Sequence, residues 1–198
     1  IIGLFVSDFA MSRQDVASFM EKSFYAHQHG DPKRIVNLSV RVLDKLVKWG
    51  MLKTKGEAVR PTRLGRRTAE VYLDPRTAML WIRNFKATSP LGYLHLMGMG
   101  EESRLPRVRS GEKEEFMYTL ASRGDEVVYP TPDPWAPSFE RYVKSLKLAM
   151  ILEDWIGEQS EKQILERFGI APGEVTVGLG VDGDDVTAET TEELRTRE

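Results

Sequence analysis

The 198-residue sequence contains no cysteine. That excludes disulfides, thiolate zinc sites and thiol nucleophiles together, and a reducing cytoplasm fits such a composition. Histidine is scarce, with three residues. His27 and His29 are two apart, so on a helix they diverge by about 200° and cannot share a metal. His95 sits between Leu94 and Leu96. None has the spacing of a metal site, and each reads as structural or surface. Long apolar runs are also missing. Nothing approaches the ~20 residues of a membrane span, so no membrane partner is expected. The first residues, IIGLFVSDFAMS, have no basic region and no small-residue cleavage site, and do not read as a signal peptide. There is no G-x-x-x-x-G-K-[ST] phosphate loop, no G-x-G-x-x-G after a strand and no G-x-S-x-G elbow. No catalytic residue, metal or cofactor is therefore assigned to these residues. The run GLGVDGDD (178–185) lacks a phosphate-binding lysine and misplaces the glycine of a calcium loop, so it reads as part of an acidic tail.

What is present is a sharp partition of charge. Residues 33–86 carry fourteen Lys/Arg against four Asp/Glu, a net +10. Residues 1–32 are net −2 and residues 87–198 net −10. A basic block inside an acidic chain suggests a local polyanion partner, or a face that meets acidic protein.

Helix signals recur along the chain. Ser12 with Asp15 resembles a capping box. It starts a helix with Val16, Phe19, Met20 and Phe24 on one face, stopped by Gly30. Asp31–Pro32 opens a second helix with Ile35, Leu38, Val42, Leu46 and Trp49. Lys33, Arg34, Asn37, Arg41, Lys45 and Lys48 fall off that stripe. Met51–Lys53 and Ala58–Arg60 read as two short strands around a Gly-containing turn, with Pro61 forcing the exit. Thr62 caps a helix through Glu70. Asp74–Pro75 opens another through Phe85, Ser89–Pro90 a third, and Ser110 caps a fourth. YPTPDPWAP (129–137) reads as an ordered elbow anchored by Tyr129 and Trp135. Ser138 starts the longest amphipathic helix, and Ser160 with Gln163 starts a short one stopped by Gly169. Trp81, Trp135 and Trp155 sit at helical spacing among aliphatic residues and read as core. The paired carboxylates Glu114/Glu115 and Glu153/Asp154 read as solvated helix faces.

Two helices followed by a β-ribbon is the order of a winged helix. The expected fold is mainly α: a winged-helix domain, a three-helix core with a small β-wing, over 1–86. An α-helical domain follows over 87–175, and an acidic Gly/Thr-rich tail over 176–198. The basic residues Lys53, Lys55, Arg60, Arg63, Arg66 and Arg67, on the ribbon and the helix behind it, are the candidate phosphate contacts.

Four stretches carry a resemblance. SRQDVASFMEKSFYAHQ (12–28), LDKLVKWGML (43–52), PTRLGRRTAEVYLDPRTA (61–78) and LEDWIGEQSEKQILERFGIAPGEV (152–175) occur in one order. Together they resemble the C-terminal half of archaeal superfamily-two DNA helicases of the Hjm type, relatives of the polymerase-theta helicase module. The last stretch is the most specific. The resemblance implies two ATPase lobes outside these residues, a winged helix, and the start of a helical domain whose ratchet helix stacks on unwound single-stranded DNA. It implies ATP and Mg²⁺ for the parent protein, 3′→5′ movement and a role at stalled forks. After GIAPGEV the chain runs into its Gly- and acid-rich tail, so the family's ratchet residues have no counterparts and none is carried over. The implied partners are forked or single-stranded DNA, bound without sequence preference, and the ATPase lobes. The fragment is expected to be a monomer or to self-associate weakly. A free-standing winged-helix transcription regulator, dimeric and sequence-specific, is the alternative. A pure protein-interaction module is a third.

Overall fold

Short polar residues set the helix starts as their chemistry dictates. A computed structural model describes residues 1–29 and 31–170, so Gly30 and the acidic tail expected over 176–198 lie outside the described residues. The described chain divides into two units, Ile1–Met79 and one from Leu80 onward.

In the first unit α1 (Ile2–Val6) is followed by α2 (Arg13–Glu21), α3 (Phe24–His29) and α4 (Pro32–Lys48). The strands β1 (Leu52–Lys55) and β2 (Ala58–Pro61) and the helix α5 (Arg63–Glu70) come next. Ser12 closes the expected capping box with Asp15. Asp31 caps α4 by accepting from the Arg34 N–H, with Pro32 at the first position. The helix expected to run unbroken from Ser12 to Gly30 is two helices. The Ser23 hydroxyl donates to the Met20 carbonyl and accepts from the Ala26 N–H, closing one helix and opening the next. The break rotates Phe24 out of the expected apolar face and leaves it 78% exposed.

The ribbon is antiparallel, with Leu52 opposite Pro61, Lys53 opposite Arg60, Thr54 opposite Val59 and Lys55 opposite Ala58. Pro61 forms the last rung, where a missing N–H breaks no further ladder. An isolated bridge joins Ser12 to Ala58, so the segment before α2 lies along the ribbon. Phe5, Val16, Leu43, Leu46, Met51, Leu52 and Val59 form the core. The buried stripe of α4 is Ile35, Ser39, Leu43 and Leu46. Leu38 and Val42, expected on that stripe, are exposed. Gly65 makes the seat of α5 possible. A Cβ there would lie 1.9 Å from the Met51 carbonyl oxygen. The result is a mainly helical fold with a small two-stranded wing, winged-helix-like and followed by further helices.

The division falls within α6 (Pro75–Asn84). Beyond it come α7 (Pro90–Gly98), a 3₁₀ turn (Ser110–Glu112), α8 (Lys113–Arg123), α9 (Pro137–Ile156) and α10 (Glu161–Phe168). Ser110, expected to open α8, lies in the 3₁₀ turn, and α8 starts after Glu112. The helix α9 starts at Pro137, one residue before Ser138, because proline suits the first helical position. Rather than amphipathic, α9 is buried all round from Ser145 to Leu152. Buried Lys147 is neutralised there by Glu112 at 2.7 Å and also donates to the Arg107 carbonyl at 2.9 Å. Tyr129 packs on this core as expected, but Trp135 is 93% exposed and anchors nothing.

Candidate nucleic-acid interface

The six basic residues singled out from the sequence are all exposed and all belong to the first unit. Their placement follows from local geometry. Side chains two apart on a strand share a face, and directly paired residues of an antiparallel ribbon project to the same side. Lys53, Lys55 and Arg60 therefore stand together on the outer face of the ribbon. The opposite face carries Leu52 and Val59 into the core. Lys53 opposite Arg60 is a like-charge cross-strand pair, which costs stability unless something else compensates.

The helix α5 begins directly behind the ribbon. The Thr62 hydroxyl accepts from the Gly65 N–H at 3.2 Å and donates to the Gly50 carbonyl at 2.6 Å, tying the helix start to the end of α4. Gly65 and Thr68 face the core, so Arg63, Arg66 and Arg67 face solvent. Among the described residues Arg67 is the one of the six with an ion pair, to Glu70 at 3.5 Å, and both partners are largely solvated. Such a pair contributes little to stability. Arg63 and Arg66, without an ion pair among the described residues, and the weakly paired Arg67 present guanidinium donors suited to phosphate oxygens.

A second set of cations lies on α4. Arg34, Arg41, Lys45 and Lys48 are exposed. Their spacing of seven, four and three residues keeps them on one side of the helix, away from Ile35, Leu43 and Leu46. Lys45 sits over the Trp49 ring at 4.7 Å, and Asp44 is drawn to Arg13 at 2.5 Å. These four residues were legible as off-stripe positions, and the spacing was the signal for grouping them.

In the second unit several ionic groups are paired with one another. Arg123 donates to Glu126 and to Glu153, with two contacts to each between 2.7 and 2.8 Å. Arg167 donates to Asp154 at 2.8 Å and to Glu115 at 3.2 Å. Glu115, Glu153 and Asp154 are therefore ion-pair partners, not solvated faces. The Arg123 guanidinium, with a hydrogen bond from Ser89, holds the Glu126 carboxyl down at about 2. His95 is fully buried; its Nε2–H donates to the Tyr142 carbonyl at 3.1 Å, and Nδ1 has no hydrogen-bond partner among the described residues. Burial pulls its pKa down to about 4. Trp81 donates its indole N–H to the Leu96 carbonyl. Trp155, read as core, is 53% exposed. His27 is exposed.

The family resemblance implies ATP and Mg²⁺ for the parent protein. Among the described residues no group of three or more His, Cys, Asp or Glu is placed to hold a metal ion. No lysine-bearing phosphate loop occurs in the sequence. No described residue is assigned to a nucleotide or to a hydrolytic step. No helix among the described residues is long and apolar enough to cross a membrane.

Comparison with known proteins bears on this geometry. Residues 91–179 match a family model described as archaeal helicase, domain 4. The chain is 28% identical over 178 residues to the ATP-dependent DNA helicase Hel308 of Methanocella arvoryzae, covering 85% of this chain and 24% of that protein. It is 28% identical over 171 residues to Hel308 of Pyrococcus abyssi, covering 82% and 23%. It is 29% identical over 183 residues to Hel308 of Pyrobaculum calidifontis, covering 89% and 24%. The similarity thus recurs across several archaeal species and takes in both units, while the chain spans about a quarter of the length of these relatives.

Proposed function

We propose that this chain is a non-catalytic accessory part of a Hel308-type ATP-dependent DNA helicase. In this reading it is the winged helix plus the start of the helical domain, with boundaries near residues 86 and 175. ATP, Mg²⁺ and 3′→5′ movement belong to ATPase lobes on the same polypeptide, in an archaeal cytoplasm. The chain contributes DNA contact and coupling to those lobes during fork repair. Lys53, Lys55, Arg60, Arg63, Arg66 and Arg67 bind phosphates without reading sequence. One observation carries the DNA assignment. Lys53 faces Arg60 across the ribbon with Lys55 beside them, no acidic partner for these three among the described residues, and the exposed Arg63, Arg66 and Arg67 on the adjoining helix. The similarity to DNA helicases of several archaea supports the same reading.

The test is binding of the full chain to a forked duplex across a salt series. About four to six phosphate contacts give a slope of roughly −3 to −5 in log K against log salt. Replacing Lys53, Lys55 and Arg60 by Gln flattens the slope by about 2 to 3. A flat response in the parent chain removes the phosphate assignment. A stable dimer that prefers one palindromic sequence replaces it with a transcription regulator.

A further inference from the structure

Helix α5 ends on a Schellman motif. The Leu73 N–H donates to the Thr68 carbonyl at 3.1 Å and the Tyr72 N–H to the Ala69 carbonyl at 3.1 Å. This closure requires a left-handed residue at position 72. The chain ends α4 in the same way, with Gly50 at φ +70° and Met51 donating back to Leu46. At α5 the left-handed residue is Tyr72, at φ +54°. A bulky side chain is strained there, and such strain persists where something else requires the residue. Packing does not require it, because Leu73 turns inward to the core while Tyr72 is 94% exposed. A large flat ring is held outward on strained backbone, directly after a helix whose solvent face carries Arg63, Arg66 and Arg67.

We propose that Tyr72 is an aromatic platform on which an unpaired DNA base stacks while the arginines of α5 hold the neighbouring phosphates. This rests on the DNA-binding reading above and adds to it that the partner has a single-stranded segment at this edge. An exposed ring just past the end of a helix that carries three exposed guanidinium groups suits a base followed by its phosphates, and base stacking needs no sequence preference. A docked apolar protein segment would instead leave those arginines without water or counter-charge.

The experiment compares the full chain with Tyr72→Gly and Tyr72→Phe. Fluorescence anisotropy is read on a 3′-tailed duplex and on a blunt duplex, at one salt concentration. Tyr72→Gly is expected to weaken binding to the tailed duplex by roughly 5- to 150-fold, the range set by losing one stacked base. Blunt-duplex affinity stays unchanged, and Tyr72→Phe, which keeps the ring, binds like the parent. Because glycine suits the left-handed backbone, Tyr72→Gly leaves the melting temperature unchanged or raises it. Equal loss on both DNAs, or a lowered melting temperature, makes the ring a structural element and overturns the proposal. Unchanged tailed-duplex binding in a parent chain that still shows salt-dependent affinity overturns it too, and assigns the ring to a protein partner. A parent chain that binds neither DNA refutes the phosphate reading first, and this proposal with it.

Discussion

Replacing Gly65 by alanine pits two effects of opposite sign against each other. Alanine in place of glycine inside a helix is favourable by about 1 kcal/mol. The added Cβ would, however, lie 1.9 Å from the Met51 carbonyl oxygen and 2.8 Å from its carbon. Both are backbone atoms, and Met51 is fully buried, so no flexible side chain can swing away. Helix α5 or the start of β1 must move by more than 1 Å to restore ordinary contact. Overpacking of this kind costs about 1–3 kcal/mol. The same movement stretches the bond that the Thr62 N–H donates to the Met51 carbonyl at 3.0 Å. That bond is worth about 1 kcal/mol. The clash therefore outweighs propensity, and Gly65→Ala should destabilise the first unit by about 1–3 kcal/mol. Trp49 is the one tryptophan of that unit. With Trp81, Trp135 and Trp155 replaced by phenylalanine, urea unfolding followed through Trp49 reads this unit alone. A variant as stable as its parent, or more stable, would refute the close seat of α5 on Met51. It would also undo the placement of Arg63, Arg66 and Arg67 that depends on it.

Acidification should weaken the second unit in two windows. His95 titrates near 6.5 when unfolded but at about 4 in the fold, so its contribution is complete above pH 6.5 and is lost as pH falls toward 4. The whole loss is about 3 kcal/mol, and His95→Gln should flatten that window in thermal melts from pH 7 to 4. Glu126, held at about 2 by Arg123 and Ser89, adds a second decline as pH falls from 4.5 toward 2, which Arg123→Gln should reduce. Lys147→Ala strands Glu112 in a largely buried position and should cost about 3–5 kcal/mol. The double variant Lys147→Met/Glu112→Gln should recover most of that in a double-mutant cycle, and no recovery would show that the cost is lost packing instead.

The local signals carried most of the fold, because capping is a short-range interaction. Ser12, Asp31, Thr62, Ser89 and Ser160 each accept the expected backbone N–H. The failures involve partners distant in sequence. The α9 helix reads as amphipathic because Lys147 is charged, and only Glu112, thirty-five residues away, makes its burial tolerable. Glu115, Glu153 and Asp154 look solvated until Arg123 and Arg167 are placed beside them. The break at Ser23 was missed because a hydroxyl can bond forward or back along the chain with no change in periodicity. On the candidate interface, exposure of the six basic residues follows from strand and helix periodicity. Their shared ribbon face depends on the register, which places Lys53 directly opposite Arg60.

That register bears on what the basic segment is for. A like-charge cross-strand pair costs up to about 1 kcal/mol, and a non-glycine residue in left-handed backbone about 1–2 kcal/mol. Against a total stability of roughly 5–15 kcal/mol, Lys53–Arg60 and Tyr72 together are a measurable burden. Neither is needed by the core, since Leu52, Val59 and Leu73 supply its contacts from the neighbouring positions. A threonine at 53 and a glycine at 72 would fold the same joint with less strain. Local conflicts of this kind concentrate where a surface serves something other than folding. Both fall within the twenty residues that also carry Lys55, Arg60, Arg63, Arg66 and Arg67. A segment that only joined a winged helix to the helices after it would need the caps at Thr62 and Asp74 and the close approach at Gly65. It would not need the cations or the exposed ring, and these are the features that the proposed DNA contact accounts for.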